Sequence, residues 1–148
     1  MVDSNPVEIL LVEDNPNDLR LALHAFRKHN LANAVQVARD GVEALDYLLG
    51  TGPFAGRDVA QRPKVVLLDL KLPLLDGTEV LERIRSDPRT KTLPVVVLTS
   101  SREEPDIEKC YRLGVNSYIV KPVDFDQFLE VSQQLGFYWL MINQPPTA

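Results

Sequence analysis

Residues 64–73 read KVVLLDLKLP: Val65, Val66, Leu67 and Leu68 run without a polar break into Asp69, and turn signals follow at Pro73 and at Asp76-Gly77. An apolar run of strand length, ended by a polar residue and a turn, reads as a strand buried on both faces, as in a parallel sheet covered by helices. Asp69 then stands at the carboxyl edge of that sheet, where ligands sit in open α/β folds. Taken alone, one Asp after a strand reads as a loop cap.

The same grammar recurs along the chain. Residues 7–12, VEILLV, end in the acidic pair Glu13-Asp14, and Asn15-Pro16-Asn17-Asp18 follows as a helix start. There Asn15 can cap, Pro16 suits the first helical position, and Asp18 is favourable near the positive end of the dipole. Leu19, Ala22, Leu23 and Phe26 give that helix one apolar face. Residues 34–38 alternate like a short strand, and Asp40 with Glu43 forms a D-x-x-E capping pattern before Ala44, Leu45, Leu48 and Leu49. Residues 50–62, GTGPFAGRDVAQR, show no sustained period and read as a surface excursion, either a recognition element or a tolerated insertion. Asp76 with Glu79 and Ser101 with Glu104 repeat the capping pattern, the second ahead of an apolar stripe of Ile107, Cys110 and Tyr111. Strands are predicted at 94–98, ending at Thr99, and at 117–120, ending at Lys121-Pro122. Asp124 opens a last helix whose inner face is Phe125, Phe128, Leu129, Ser132 and Leu135. Five strand and helix units in strict alternation favour one doubly wound α/β domain with a parallel sheet, and 2-1-3-4-5 is the common five-strand order.

Composition sets limits on function. The 148 residues suffice for one core without staples, and 45% hydrophobic with 25% charged residues is ordinary for a globular domain. No apolar stretch approaches the length of a transmembrane helix, and the N-terminus has no secretory pattern, so a cytoplasmic location is expected. Cys110 is the single cysteine and His24 and His29 the only histidines, which excludes an internal disulfide and argues against a Cys/His zinc site. A formal charge of −5 without a basic block argues against nonspecific nucleic-acid binding.

A parallel sheet gathers the polar residues at its strand ends along one edge: Glu13, Asp14, Asp69, Thr99 and Lys121. Clustered carboxylates repel unless a cation lies among them, and a few oxygen donors with open water positions suit Mg²⁺. Beside such a cation and an ammonium, an Asp carboxylate can act as a nucleophile toward a phosphoryl group, with a Thr hydroxyl donating to one of its oxygens. The bland alternative is an acidic rim in which Lys121 pairs with Asp14 or Asp69 as an exposed ion pair worth about 0–1 kcal/mol.

From residue 7 to about residue 140 the sequence closely resembles the receiver domain of two-component response regulators. The resemblance is carried by Glu13-Asp14, LLDLKLP at Asp69, VVLTS at Thr99, and NSYIVKP at Tyr118 and Lys121-Pro122. It implies a flavodoxin-like, CheY-like receiver in which Asp69 accepts a phosphoryl group from a histidine kinase or a phosphotransfer protein. It further implies Mg²⁺ bound by Asp14, Asp69 and the backbone carbonyl of Lys71, with Glu13 assisting through water. By the same resemblance Thr99 and Tyr118 form the switch, Tyr118 turning inward as Thr99 moves and remodelling the face made by the fourth helix, fifth strand and fifth helix. The excursion at 50–62 and the ending QLGFYWLMIN are similar to single-domain regulators of bacterial and cyanobacterial phytochrome kinases. That likeness implies a light-regulated kinase as donor, one receiver over residues 1–148 with a core at 7–142 and a polar tail at 143–148, and no output domain.

The run at 137–142 has too many consecutive large apolar groups for one helical face, which marks Phe137, Tyr138, Trp139, Leu140 and Met141 as a symmetric homodimer interface or as residues covered by the chain's own tail. Three other functions compete with the receiver reading. An aspartate-nucleophile phosphatase would want an acidic general acid two residues past Asp69, where Lys71 stands. A nucleotide or flavin module would want a Gly-rich phosphate loop after the first strand, where Glu13-Asp14 stands. An inactive pseudo-receiver would keep the fold and lack the phosphorylation.

Overall fold

The apolar runs form five short strands, β1 (Ile9–Val12), β2 (Val35–Ala38), β3 (Val65–Leu68), β4 (Val95–Thr99) and β5 (Ser117–Val120). They alternate with helices α1 (Pro16–Lys28), α2 (Gly41–Leu49), α3 (Gly77–Ser86), α4 (Glu104–Arg112) and α5 (Phe125–Phe137). The computed structural model describes residues 7–28, 34–121, 124–139 and 143–144. All strand pairs are parallel and the order is β2-β1-β3-β4-β5, the order expected from the alternation of elements. Each predicted strand is found, and β1, β2 and β4 begin later than predicted, at Ile9, Val35 and Val95.

β1, β3 and β4 are buried along their whole length, whereas the edge strand β5 is half-buried throughout. Because successive side chains of a strand point to opposite faces, the central strands feed two core layers. Leu10, Val12, Val66, Leu68, Val95 and Val97 pack with side chains of α2, α3 and α4 on one face. Ile9, Leu11, Val65, Leu67, Val96 and Leu98 pack with those of α1 and α5 on the other. Apolar residues at every strand position are what burial on both faces demands, which is why the runs carry no polar break.

Helix starts follow the sequence in three cases and depart from it in two. Asn15 Oδ1 accepts from the backbone N–H of Asn17 and of Asp18, at 2.9 and 3.1 Å. Asp40 caps α2 through the N–H of Glu43, and Asp124 caps α5 through that of Gln127. Asp76 makes no such cap; its carboxylate instead accepts from the Thr78 hydroxyl. Ser101 does not cap α4 either, since that helix begins after Glu103 and the Ser101 hydroxyl donates to Asp106 Oδ2 at 2.6 Å. The expected stripe on α4 shrinks to Cys110, the helix's one fully buried residue, while Tyr111 is exposed. Burial pushes the Cys110 thiol up to about 11, in keeping with a small core residue.

The excursion at 50–62 is fastened to the end of α2. Arg57 donates from Nε to the carbonyl of Tyr47 at 2.7 Å and from Nη1 to that of Gln61 at 3.0 Å, and its guanidinium lies 4.1 Å from the Tyr47 ring centre. Phe54 meets the same ring edge-on. Nonperiodic sequence here is a loop ordered by one cation at a helix end.

At the start of α3 the backbone passes against the residue of interest. A Cβ added to Gly77 would stand 2.3 Å from the carbonyl oxygen of Asp69 and 2.5 Å from Leu70 Cα, so only glycine lets α3 begin there. Gly77→Ala is therefore expected to lower stability by about 1–3 kcal/mol, the usual penalty of overpacking, and to displace Asp69. Urea unfolding checks the first effect, and a midpoint within error of wild type would show that the loop yields freely.

Candidate phosphoacceptor site

Parallel register decides which side chains meet. Val12 pairs with Leu68 and Leu68 with Val97, so Glu13 and Asp69 emerge side by side, with Thr99 at the end of the next strand. Thr99 in turn pairs with Val120, and the N–H of Lys121 donates to the Thr99 carbonyl at 2.7 Å, which carries the ladder one residue past β5. The sheet thus delivers carboxylate, carboxylate, hydroxyl and ammonium from four adjacent ends without help from any loop.

Carboxylate oxygens of Glu13, Asp14 and Asp69 all lie within 4.8 Å of one another. Glu13 and Asp69 are buried, at 3% and 5% exposure, and Asp14 is exposed at the mouth. Lys121 Nζ donates to Glu13 Oε1 at 2.9 Å, to Asp69 Oδ2 at 2.9 Å and to Asp18 Oδ2 at 2.7 Å. The second oxygen of each buried acid is held by backbone: Glu13 Oε2 by the N–H of Asn15 at 3.1 Å, and Asp69 Oδ1 by the N–H of Lys71 at 3.2 Å.

Two features differ from the acidic-rim alternative. The Lys121 side chain is only 9% exposed, so the pairing is a buried one whose disruption costs about 3–5 kcal/mol rather than a surface contact. Its partners include Asp18, which helix-start grammar assigned to the dipole of α1. The one signal in the sequence for Asp18 is its place one turn beyond the acidic pair, and a favourable first-turn acid needs no second explanation.

Burial opposes the charge on Lys121, but hydrogen bonds to Asp18, Glu13 and Asp69 outweigh it and hold the ammonium well above its ordinary range. Burial also dominates at Glu13. It raises that carboxyl from an ordinary 4.5 to about 7, against the lowering effect of the Lys121 hydrogen bond and with Asp69 adding to the rise.

Thr99 is fully buried and its Oγ1 accepts from the N–H of Ser101 at 3.4 Å. Ser101 continues outward, its carbonyl accepting from the Tyr118 hydroxyl at 3.0 Å and its own hydroxyl donating to Asp106 on α4. The Tyr118 ring is partly buried and packs against the core layer shared with α3 and α4. Thr99, Tyr118 and the first turn of α4 are thereby joined through one residue, Ser101.

Trp139 is buried rather than projecting outward. At 7% exposure it joins Phe128 and Leu135 in the α1-side core, because positions 128, 135 and 139 share one helical stripe. Tyr138 points outward at 47% exposure, with its ring edge-on to Trp139. The side chain of Phe137, and Leu140, Met141 and Pro122 as a whole, lie outside the described residues.

The raised Glu13 carboxyl has a stability signature. Its folded form keeps a proton that the unfolded chain releases from about 4.5 upward, so its contribution to stability is lost as pH rises through about 7. In chelator, the melting temperature of wild type is expected to fall, relative to that of Glu13→Gln, between about pH 5 and about pH 7.5. A difference between the two proteins that does not vary over that range would remove the assignment.

The donor set, all oxygen and acidic, fits a hard divalent cation. Among solved structures, that of the phosphorylated cyanobacterial phytochrome response regulator RcpA superposes with a TM-score of 0.87 at 41% identity, over 95% of this chain and 99% of that one. Response regulator Rcp1 of Synechocystis sp. is 37% identical over 99% of this chain and 98% of its own length. Its Mn(2+)-bound structure superposes with a TM-score of 0.86 at 36% identity, covering 95% of this chain and 99% of that one. The probable methanogenesis regulatory protein FilR2 of Methanothrix harundinacea is 41% identical over 96% of this chain and 89% of its own length. The family model for the response regulator receiver domain matches residues 9–133, and with it the sheet order and the acidic strand ends agree: the chain belongs to the response regulator receiver family of signalling proteins.

Proposed function

We propose that the chain is a single-domain response regulator whose Asp69 takes a phosphoryl group from a histidine kinase, of phytochrome type, or from a phosphotransfer protein. The observation that carries this reading is the convergence of Glu13, Asp14 and Asp69 with the Lys121 ammonium at three strand ends. Similarity to the cyanobacterial phytochrome response regulator RcpA supports the phytochrome pairing.

In the transfer, a carboxylate oxygen of Asp69 forms a bond to phosphorus as the bond from phosphorus to the donor imidazole nitrogen breaks. The electron pair stays on that nitrogen, and the product is an acyl phosphate. Asp69 suits the role because backbone and ammonium fix both of its oxygens on a rigid central strand, so that little orientation is left to lose. The Lys121 ammonium, already at Asp69, follows the negative charge onto the transferred group. Thr99 supplies a hydroxyl donor from the neighbouring strand end. Asp14, Asp69 and the Lys71 carbonyl would hold Mg²⁺, with Glu13 acting through water; when bound, the ion supplies positive charge opposite the phosphoryl oxygens. The chemistry of the chain itself is confined to gaining and losing this group, and its output is binding.

Phosphorylation brings roughly 1.5 to 2 negative charges and three acceptor oxygens to one point. Thr99 is drawn toward them, and Ser101 passes the displacement to Tyr118 and α4, changing the face of α4, β5 and α5. Among the described side chains of the proposed homodimer interface, that of Tyr138 is exposed, at the end of α5. No helix among the described residues is long and apolar enough to cross a membrane.

Incubation with Mg²⁺ and acetyl phosphate, read by intact mass, is expected to add one phosphoryl group to wild type and to Tyr118→Ala and none to Asp69→Asn. Tyr118→Ala is further expected to lose the phosphorylation-dependent protection of α4 amides from hydrogen exchange. An unmodified wild-type protein, under conditions that label a known receiver, would leave an interaction module without phosphorylation. Sedimentation equilibrium is expected to show a dimer that Tyr138→Asp converts to monomer; monomer throughout, with and without an acyl-phosphate mimic, would remove the dimer.

A further inference from the structure

The three N–H groups of the Lys121 ammonium are divided among three carboxylates, and these are not equivalent. Glu13 and Asp69 belong to the oxygen cluster that fits a divalent cation. Asp18 does not, although its contact is the shortest of the three at 2.7 Å, against 2.9 Å to each of the others. Its side chain is 23% exposed, compared with 4% for Glu13 and 6% for Asp69, so it stands on the solvent side of the ammonium. Its place is set by backbone, since the N–H of Asp18 is held by the Asn15 cap at the first turn of α1.

A divalent cation and the ammonium compete for the same oxygens of Glu13 and Asp69, and two like charges so close repel. An ammonium with no other partner would settle on those two acids alone, and a cation would have to evict it. We propose that Asp18 is a positioning residue, a seat outside the cation cluster that retains the Lys121 ammonium when a divalent cation takes the oxygens of Glu13 and Asp69 that the ammonium now shares. On the phosphoacceptor reading, on which this rests, the same seat keeps the ammonium within reach of Asp69 once the cation has displaced it from the carboxylate.

Asp18→Asn keeps the shape of the seat and removes its charge, and Asp18→Glu returns the charge on a longer stem. Calorimetric titration of the unphosphorylated full chain with Mg²⁺ is expected to show binding about tenfold weaker in Asp18→Asn, the scale of outer-shell substitutions at metal sites, and within about twofold of wild type in Asp18→Glu. In a Lys121→Met background, Asp18→Asn is expected to change the Mg²⁺ affinity by less than about twofold, because the seat then has no occupant. An equal loss in both backgrounds would mean that Asp18 acts only as a nearby negative charge.

The same distinction can be made without Lys121→Met, which removes a buried partner and needs its fold verified by circular dichroism. A contact effect of Asp18→Asn persists from about 50 mM to about 500 mM NaCl, whereas a long-range charge effect is screened away. Persistence supports the seat, and collapse of the effect, or no effect at low salt, overturns it. Calorimetry does not depend on phosphorylation. Failure of the phosphoacceptor reading would appear as wild type unlabelled by acetyl phosphate, with the calorimetric differences still in place.

Discussion

Two carboxylates sit almost fully buried beside each other at the end of the central strands, and the Lys121 ammonium makes that tolerable. Taking a carboxylate out of water carries a penalty of several kcal/mol per ion, which only close pairing and further hydrogen bonds can offset. Lys121 gives one N–H to Glu13 and one to Asp69, and backbone N–H groups take the oxygens that remain. Even so, the offset is incomplete at Glu13, whose carboxyl burial holds near 7. A site under this tension has a standing affinity for additional positive charge. That is what distinguishes an acidic cluster poised for a cation from an acidic patch that water already satisfies.

Much of this was legible in the sequence because it follows from periodicity and register. Apolar runs of strand length, with apolar alternation at residues 34–38, located the strands, and their alternation with helices favoured the order found. Parallel register then brought Glu13, Asp69, Thr99 and Lys121 to one edge. Asp18 could not be found this way, since its role depends on how far a lysine stem reaches across the edge. Ser101 and Trp139 show the same limit from opposite sides. A capping pattern at Ser101 described hydrogen-bonding capacity correctly and its partners wrongly, for the hydroxyl went to Asp106. An apolar run past Phe137 suggested an outward surface, yet the helical stripe shared with Phe128 and Leu135 carries Trp139 into the core.

The distribution of burial also determines where a change at Asp69 can go. α2 and α3 each contribute five buried residues and α1 four, whereas α4 contributes Cys110 alone. β1, β3 and β4 are sealed between two core layers, and β5 is half-buried at the edge. Elements with few buried apolar contacts lie at the low-stability end of a fold and move at small cost. Displacing the central strands would disturb both layers at once. A pull on Thr99 therefore meets a stiff sheet on one side and a lightly held helix on the other, and Ser101 already joins Thr99 to that helix and to the Tyr118 hydroxyl. On the proposed reading, charge gained at Asp69 would be fixed in place by the rigid part of the molecule, and its consequence would emerge on the part that packing leaves free to respond.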